Sequence, residues 1–316
     1  MSGSYIEVQV EQCRQVAPAI KEFALKALDA PLPAFSPGSH VVVEMRDGQK
    51  TYRNPYSLLS DPRDPSAYRI AVRLQEQSRG GSRFMHERIA EGSRLRISPP
   101  ANLFAPDWRA RKHILLAGGV GITPFMSYLP ELQRRNADFE LHHLFRSSRT
   151  GAYDADLRQR LDGRYFAYDS ARDKRCPVAE LMAAQSPGTH IYICGPQSLI
   201  DAVYANAAQI GWPQEHIHVE AFAAPEPGEP FEAVLCKSGK TIQVGAEESL
   251  LEALEREHIE VPNLCRGGVC GQCVTGVRDG AIEHRDHFLS EREKSSGQCL
   301  MPCVSRAKGP KLELEI

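Results

Sequence analysis

Cys265-Arg266-Gly267-Gly268-Val269-Cys270-Gly271-Gln272-Cys273, with Cys303 after 29 intervening residues, is the stretch that decides how the C-terminal part of the chain folds. C-x4-C-x2-C…C is the plant-type spacing of a 2Fe–2S cluster. Three thiolates come from one loop and a distant segment supplies the fourth. Gly267, Gly268 and Gly271 permit a close backbone approach, so that amide N–H groups can point at sulfur. Structural zinc, the alternative, more often carries paired C-x2-C knuckles, and only one is present. Cys299 is a rival fourth ligand. Cys303 gives the longer spacing usual for this class, which leaves Cys299 as a buried thiol.

The chain has nine cysteines, an odd number, and the other four (Cys13, Cys176, Cys194 and Cys236) are scattered. Met1 to Val10 alternates like a first strand and lacks the basic and apolar regions of a secretory signal. The cysteine cluster therefore reads as a metal or redox site before disulfides, in a cytoplasmic protein. No apolar stretch reaches spanning length, so no membrane is expected. A net charge of −2 gives no electrostatic case for nucleic acid.

A length of 316 residues suits two or three domains. Up to about residue 104, runs such as Val41 to Met45, and Tyr68, Ile70, Val72 and Leu74, alternate with a period of two. Turn signals at Ser36-Pro37-Gly38, Asp47-Gly48 and Asp61-Pro62-Arg63-Asp64-Pro65 separate them, which predicts an antiparallel β-barrel or sandwich. From His113 the pattern changes to strand–helix alternation. Strands are expected at 113–117, 141–145, 165–168 and 191–194, with helices to Arg135 and at 154–162, 177–184 and 196–209. That order predicts a parallel sheet covered on both faces. Ala223 to Pro230, with three prolines, reads as a linker. Beyond it come strands near 232–236 and 241–244, a helix near 249–257, the cysteine loop and a closing strand at 312–316.

Asn263 to Cys273, His284-Arg285-Asp286-His287-Phe288-Leu289-Ser290 and Cys303-Val304-Ser305-Arg306-Ala307 resemble the C-terminal domain of phthalate dioxygenase reductase and vanillate O-demethylase reductase. The chain follows that family's order along essentially its whole length. The resemblance implies a flavin domain (1–104), a nicotinamide α/β domain (105–224) and an α+β, β-grasp ferredoxin domain (225–316). It implies NADH as donor, FMN, a 2Fe–2S cluster, and a Rieske-type oxygenase as partner, with the chain a monomer.

Arg53-Asn54-Pro55-Tyr56-Ser57-Leu58 resembles the R-x-Y-S flavin motif of the ferredoxin-reductase superfamily, with one extra residue between Arg53 and Tyr56. A Tyr face can stack on isoalloxazine, a Ser hydroxyl can reach N5, and Arg53 brings positive charge toward the phosphate. Ser78-Arg79-Gly80-Gly81-Ser82 offers backbone donors, a guanidinium fork and a hydroxyl to a terminal phosphate. In the family this loop goes with FMN rather than FAD.

Gly118-Gly119-Val120-Gly121-Ile122-Thr123-Pro124 follows a strand and opens a helix, a fitting place for a pyrophosphate. It resembles the family's GG-x-G-x-TP loop, and Cys194-Gly195-Pro196 resembles its CGP turn; the resemblance sets both beside the nicotinamide. Phe222 falls where the family places an aromatic ring over the flavin. After the second strand, Arg146 could hold a 2′-phosphate and so keeps NADPH open, against the family's NADH. The other readings are the same electron chain serving a diiron monooxygenase or a P450, and a zinc-stabilised binding protein without catalysis.

Overall fold

Alternation builds the first sheet: in β1 (Ile6–Ala17), Val8 and Val10 are buried while Glu7 and Gln9 face solvent. The computed structural model describes residues 5–48, 50–64, 66–76, 78–222 and 226–316. Residues 1–4 of the expected first strand, Pro65 of the expected turn, and Ala223, Ala224 and Pro225 of the expected linker lie outside these. Contacts divide the described chain into two compact units, one ending at Phe222 and the other running to Ile316.

In the first unit β1 is followed by β2 (Ile20–Ala27), β3 (Ser39–Asp47), β4 (Lys50–Ser57), β5 (Tyr68–Arg73), α1 (Gly81–Glu87), β6 (Arg94–Ile97) and β7 (Ala101–Asn102). The order is β4-β3-β6-β1-β2-β5, antiparallel throughout, with β7 on β3. The two end strands, β4 and β5, approach each other around a core of Val8, Phe23, Val41, Val43, Ile70 and Ile97. Leu74 lies past the end of β5 and is exposed, although the alternation counted it with the buried face.

The same unit continues with β8 (Lys112–Gly118), α2 (Thr123–Arg134), β9 (Asp138–Phe145), α3 (Asp154–Arg160), β10 (Tyr165–Asp169), α4 (Val178–Ala183), β11 (Thr189–Cys194), α5 (Gln197–Ile210) and β12 (Ile217–Glu220). These five strands are all parallel, in the order β10-β9-β8-β11-β12. Leu115 and Ala117 pack under Phe125 and Leu129 on one face, and Ile114 and Leu116 under Val203 on the other. Such double burial is why β8 reads as an unbroken apolar run. Phe104 belongs to this second core, so the chain leaves the first sheet slightly before the expected boundary.

The second unit contains β13 (Phe231–Leu235), β14 (Thr241–Val244), α6 (Leu250–Arg256), β15 (Thr275–Asp279), β16 (Ile282–Glu283), α7 (Glu291–Ser296), β17 (Cys299–Leu300), β18 (Arg306–Ala307) and β19 (Lys311–Leu314). Its sheet runs β14-β13-β19-β15-β17, with β13 and β19 parallel, and β16 pairs with β18. Ser249 and Glu252 form a capping box that starts α6, whose Leu250, Leu251 and Leu254 fill the core. The described end of the linker is pinned to this unit. Arg306, only 2% exposed, donates to the carbonyls of Glu248 (2.7 Å), Gly245 (2.9 Å) and Glu229 (3.0 Å), and Arg285 donates to that of Glu226 (2.6 Å).

Candidate functional site

The two glycine turns of the parallel sheet interlock. β8 and β11 are neighbours, so Gly118–Gly121 and Cys194–Pro196 emerge side by side at their C-terminal ends, where open α/β sheets bind ligands. A Cβ on Gly118 would lie 2.5 Å from Pro196 Cδ, and one on Gly121 would collide with the Cys194 carbonyl. Only glycine lets these backbones meet. Gly119 differs: its φ is 57°, and an added Cβ would meet nothing within 4 Å. That is the open side of the loop. The Thr123 hydroxyl turns inward and donates to the Val120 carbonyl at 2.9 Å.

Three strand ends converge next to these turns. Ser57, last in β4, donates its hydroxyl to Glu220 Oε2 at 3.2 Å, and the Cys194 thiol stands 4.0 Å from the same oxygen. Burial pushes the Glu220 carboxyl up to about 7, and the Ser57 hydrogen bond pulls the other way. Burial, reinforced by Glu220, raises the Cys194 thiol well above its ordinary value, so it stays an S–H group. A carboxyl poised near neutrality against a hydroxyl can hold or release a proton at the Ser57 oxygen.

The flavin-motif residues split between the two faces of β4. Tyr52, Asn54 and Tyr56 share one face, and Asn54 donates to the Tyr56 hydroxyl at 3.2 Å. The Ser78–Ser82 turn packs on that face. A Cβ on Gly81 would come 2.5 Å from Asn54 Nδ2, and one on Gly80, whose φ is 122°, would strike the Tyr52 ring. Ser82 and Ser78 hydroxyls bond each other at 2.9 Å, and Ser78 accepts from Gly80 N–H at 3.0 Å. Gly81 begins α1, so the segment read as a phosphate loop runs into the first turn of a helix. The Arg79 carbonyl accepts from Lys50 Nζ at 3.4 Å.

Arg53 is the motif residue expected to bring positive charge toward a phosphate. It lies on the opposite face of β4, directly across from Glu44 of β3, and binds that carboxylate at 2.8 and 3.0 Å. Glu44 is 3% exposed, and burial alone would raise it. Arg53, Arg46 and Arg96 outweigh that and hold it below the ordinary carboxylate value. A buried carboxylate demands such partners.

In the second unit four cysteines form two pairs. Cys273 and Cys303 are buried with sulfurs 3.3 Å apart, and the side chains of Cys265 and Cys270, both free of disulfides, share a hydrogen bond. Gly267 N–H points at Cys265 Sγ at 3.4 Å. Two thiolate pairs with an amide donor are the donor set that two irons of a 2Fe–2S cluster require. Cys299 lies on β17, half-buried rather than buried.

A family described as the 2Fe-2S iron-sulfur cluster binding domain matches residues 234–308, and one described as the dimethylamine monooxygenase subunit DmmA-like N-terminal domain matches residues 93–217. The heme-dependent oxidative N-demethylase beta subunit of Ectopseudomonas mendocina (strain ymp) is 51% identical, over 99% of this chain and 100% of that protein. The carnitine monooxygenase reductase subunit of Escherichia coli (strain K12) is 45% identical, over 98% of each chain. The solved phthalate dioxygenase reductase superimposes with a TM-score of 0.88 at 32% identity, over 99% of this chain and 98% of that one. The chain belongs to the family of oxygenase reductase components that includes phthalate dioxygenase reductase and vanillate O-demethylase oxidoreductase. It is an oxidoreductase that carries electrons from a pyridine nucleotide through flavin to a 2Fe–2S cluster for an oxygenase.

In this reductase a cavity of about 150 Å³ opens at the ends of β9 and β10, lined by Phe145, Ser148, Asp154, Arg158, Asp169 and Lys174 among others. Arg146 is exposed on the turn after β9 and does not line that cavity. Phe222 is 46% exposed just past the end of β12. No described helix is long and apolar enough to cross a membrane.

Sequence reasoning missed Glu220 as a functional residue. The available signal was an acidic side chain closing the strand run Ile217-His218-Val219, beside the strand that ends at the Cys194 turn. It also missed His143 and Tyr165, because a buried histidine in a strand looks like any other core position.

Proposed function

We propose that this reductase takes hydride from NADH onto FMN, passes single electrons to the cluster held by Cys265, Cys270, Cys273 and Cys303, and delivers them as a cytoplasmic monomer to a terminal oxygenase. Flavin supplies the two-electron to one-electron conversion when bound. The observation that carries the reading is the meeting of Ser57, Cys194 and Glu220 at three strand ends. In this reading Tyr56 lies along the isoalloxazine and Ser57 faces N5, with Glu220 setting the proton on the Ser57 oxygen. Phe222 covers the ring until the nicotinamide replaces it, while Gly195 and Pro196 keep the opposite turn close. Gly80, Gly81, Ser82 and Arg79 take the FMN phosphate; Gly119, Gly121 and Thr123 form the dinucleotide loop. NADH is favoured over NADPH by the family likeness; the cavity at the strand ends offers Asp154 and Asp169 to ribose hydroxyls beside Arg158, Arg172 and Lys174. The crowding of five cysteines near the C-terminus, read as a metal site rather than disulfides, suits a reducing compartment.

A Rieske-type oxygenase is the partner implied by the phthalate dioxygenase reductase likeness. A second client is a heme-dependent N-demethylating enzyme, favoured by the 51% identity to a subunit of one. An anaerobic visible titration with NADH and then NADPH, with iron and released flavin quantified, tests the electron path. Bleaching of flavin and cluster bands at low NADH is expected; a colourless protein overturns the reading. Turnover with a Rieske oxygenase and with a heme N-demethylase, side by side, decides the client.

A further inference from the structure

Behind the dinucleotide loop runs a buried chain of hydrogen bonds that the electron path does not use. His143, in β9 and 0% exposed, places Nε2 at 3.0 Å from the Gly119 carbonyl and Nδ1 at 3.1 Å from the Tyr165 hydroxyl. The Tyr165 hydroxyl in turn lies 2.8 Å from Asp154 Oδ1. The two ends of this chain, a carbonyl and a carboxylate, can only accept. Three links therefore need three protons, and a neutral imidazole with a neutral phenol supplies two. If Nε2 holds its proton and Tyr165 donates to Nδ1, the phenol oxygen faces the Asp154 carboxylate lone pairs. If Tyr165 donates to Asp154, a bare Nε2 faces the Gly119 carbonyl. Either neutral arrangement leaves one acceptor against another, at a real cost in a buried place.

We propose that His143 is a positioning residue for the dinucleotide loop, and that the His143–Tyr165–Asp154 chain takes up one proton from solvent when the anionic cofactor binds. Gly119 is the side of the loop left open, and His143 grips its carbonyl from behind. The groups facing the chain are Tyr165 from β10, the Phe145 ring, and Asp154 from α3 with its partner Arg158, which pairs at 3.1 Å and lies over the Tyr165 ring. Asp154 already pairs with Arg158 and closes the chain as an acceptor, so the added proton sits on the imidazole of His143, where it completes the third link. Burial holds the free imidazole down to about 4, with Gly119 and Asp154 pulling the other way, so the unliganded chain lacks that proton at neutral pH. The negative pyrophosphate supplies the missing stabilisation. Asp154 lines the cavity at the strand ends and gives the proton its route.

This rests on the reading of Gly118–Gly121 as a dinucleotide loop. Anaerobic stopped-flow reduction of the flavin by NADH, across the pH range in which flavin stays bound, separates the apparent dissociation constant from the limiting rate. In the unmodified protein, binding is expected to weaken as pH rises, a slope read on the dissociation constant and separate from any pH dependence that Glu220 gives the limiting rate. His143→Gln keeps a donor toward Gly119 but cannot gain charge. Its binding is expected to be independent of pH and about tenfold weaker at the acid end, the worth of one charge-assisted hydrogen bond. Tyr165→Phe removes the middle link at almost constant volume, and is expected to flatten the same slope should His143→Gln not fold. Retention of the unmodified slope by either variant, or a loss confined to the limiting rate, overturns the inference. A protein reduced normally by NADH whose variants keep that slope fails this inference alone; one that NADH does not reduce at all removes the dinucleotide reading and this inference together.

Discussion

The loop at Gly118–Gly121 and the loop at Gly267–Gly271 spell nearly the same thing and are glycine-rich for different reasons. At Gly121 the missing side chain makes room for the backbone of a neighbouring strand end, which has nowhere to go. At Gly271, φ is 73°, and what lies over the Cα is the half-exposed ring of Phe288, a side chain that can swing away. The first loop is tight because two sheet strands are adjacent; the second is curved because a chain must wrap around sulfur. One kind of glycine is locked by its neighbours, the other by its own dihedrals.

Substitutions can break or sharpen that contrast. The largest effect is expected from Cys303→Ser, which removes one of the paired sulfurs: iron content and cluster absorbance fall, and reduction of the flavin by NADH persists. Cys299→Ser, half-buried on β17, is expected to keep both, and iron analysis of the two variants side by side checks the assignment. Next comes Gly121→Ala. Its methyl strikes a carbonyl, so we expect about 1–3 kcal/mol of lost stability in thermal or urea unfolding, and a fall of roughly 10²-fold in flavin reduction as the strand ends shift. Glu220→Gln is expected to slow flavin reduction roughly tenfold at its most sensitive pH. The unmodified protein loses the Glu220 proton as pH rises through about 7; the amide does not, so the variant's rate profile is flat across that range. Gly271→Ala should cost about 1–2 kcal/mol through its left-handed backbone, and the visible spectrum of the cluster should survive. Smallest of all is Gly119→Ala, about 1 kcal/mol on the same measurement, since the added methyl meets open space. If Gly271→Ala proves worse than Gly121→Ala, the contrast is misdrawn.

Periodicity made most of the architecture legible. Strand Thr241–Val244 matches its expected bounds, and α5 and α3 differ from theirs by only one or two residues. Doubly buried strands announce themselves as apolar runs. What stayed hidden depends on long-range pairing. The short β6 makes sense only between β1 and β3, and β7 only against β3, all far back in the chain, and α1 begins within a turn composition. Arg53 was legible as a cation but not as the cross-strand partner of a buried Glu44, because register is not written in either strand alone. Glu220 and His143 belong to the same class: each acquires its meaning from a residue on another strand.

The hydrogen bond between Ser57 and Glu220 joins positions 163 residues apart. At the usual pace of synthesis of about 5–20 residues per second, the ribosome delivers the second partner roughly 8–33 s after the first. Throughout that interval the nascent chain carries an antiparallel sheet whose redox pocket lacks its acid. The Ser57–Glu220 pair is therefore completed only at the end of the first unit's synthesis, when β12 is laid against β11.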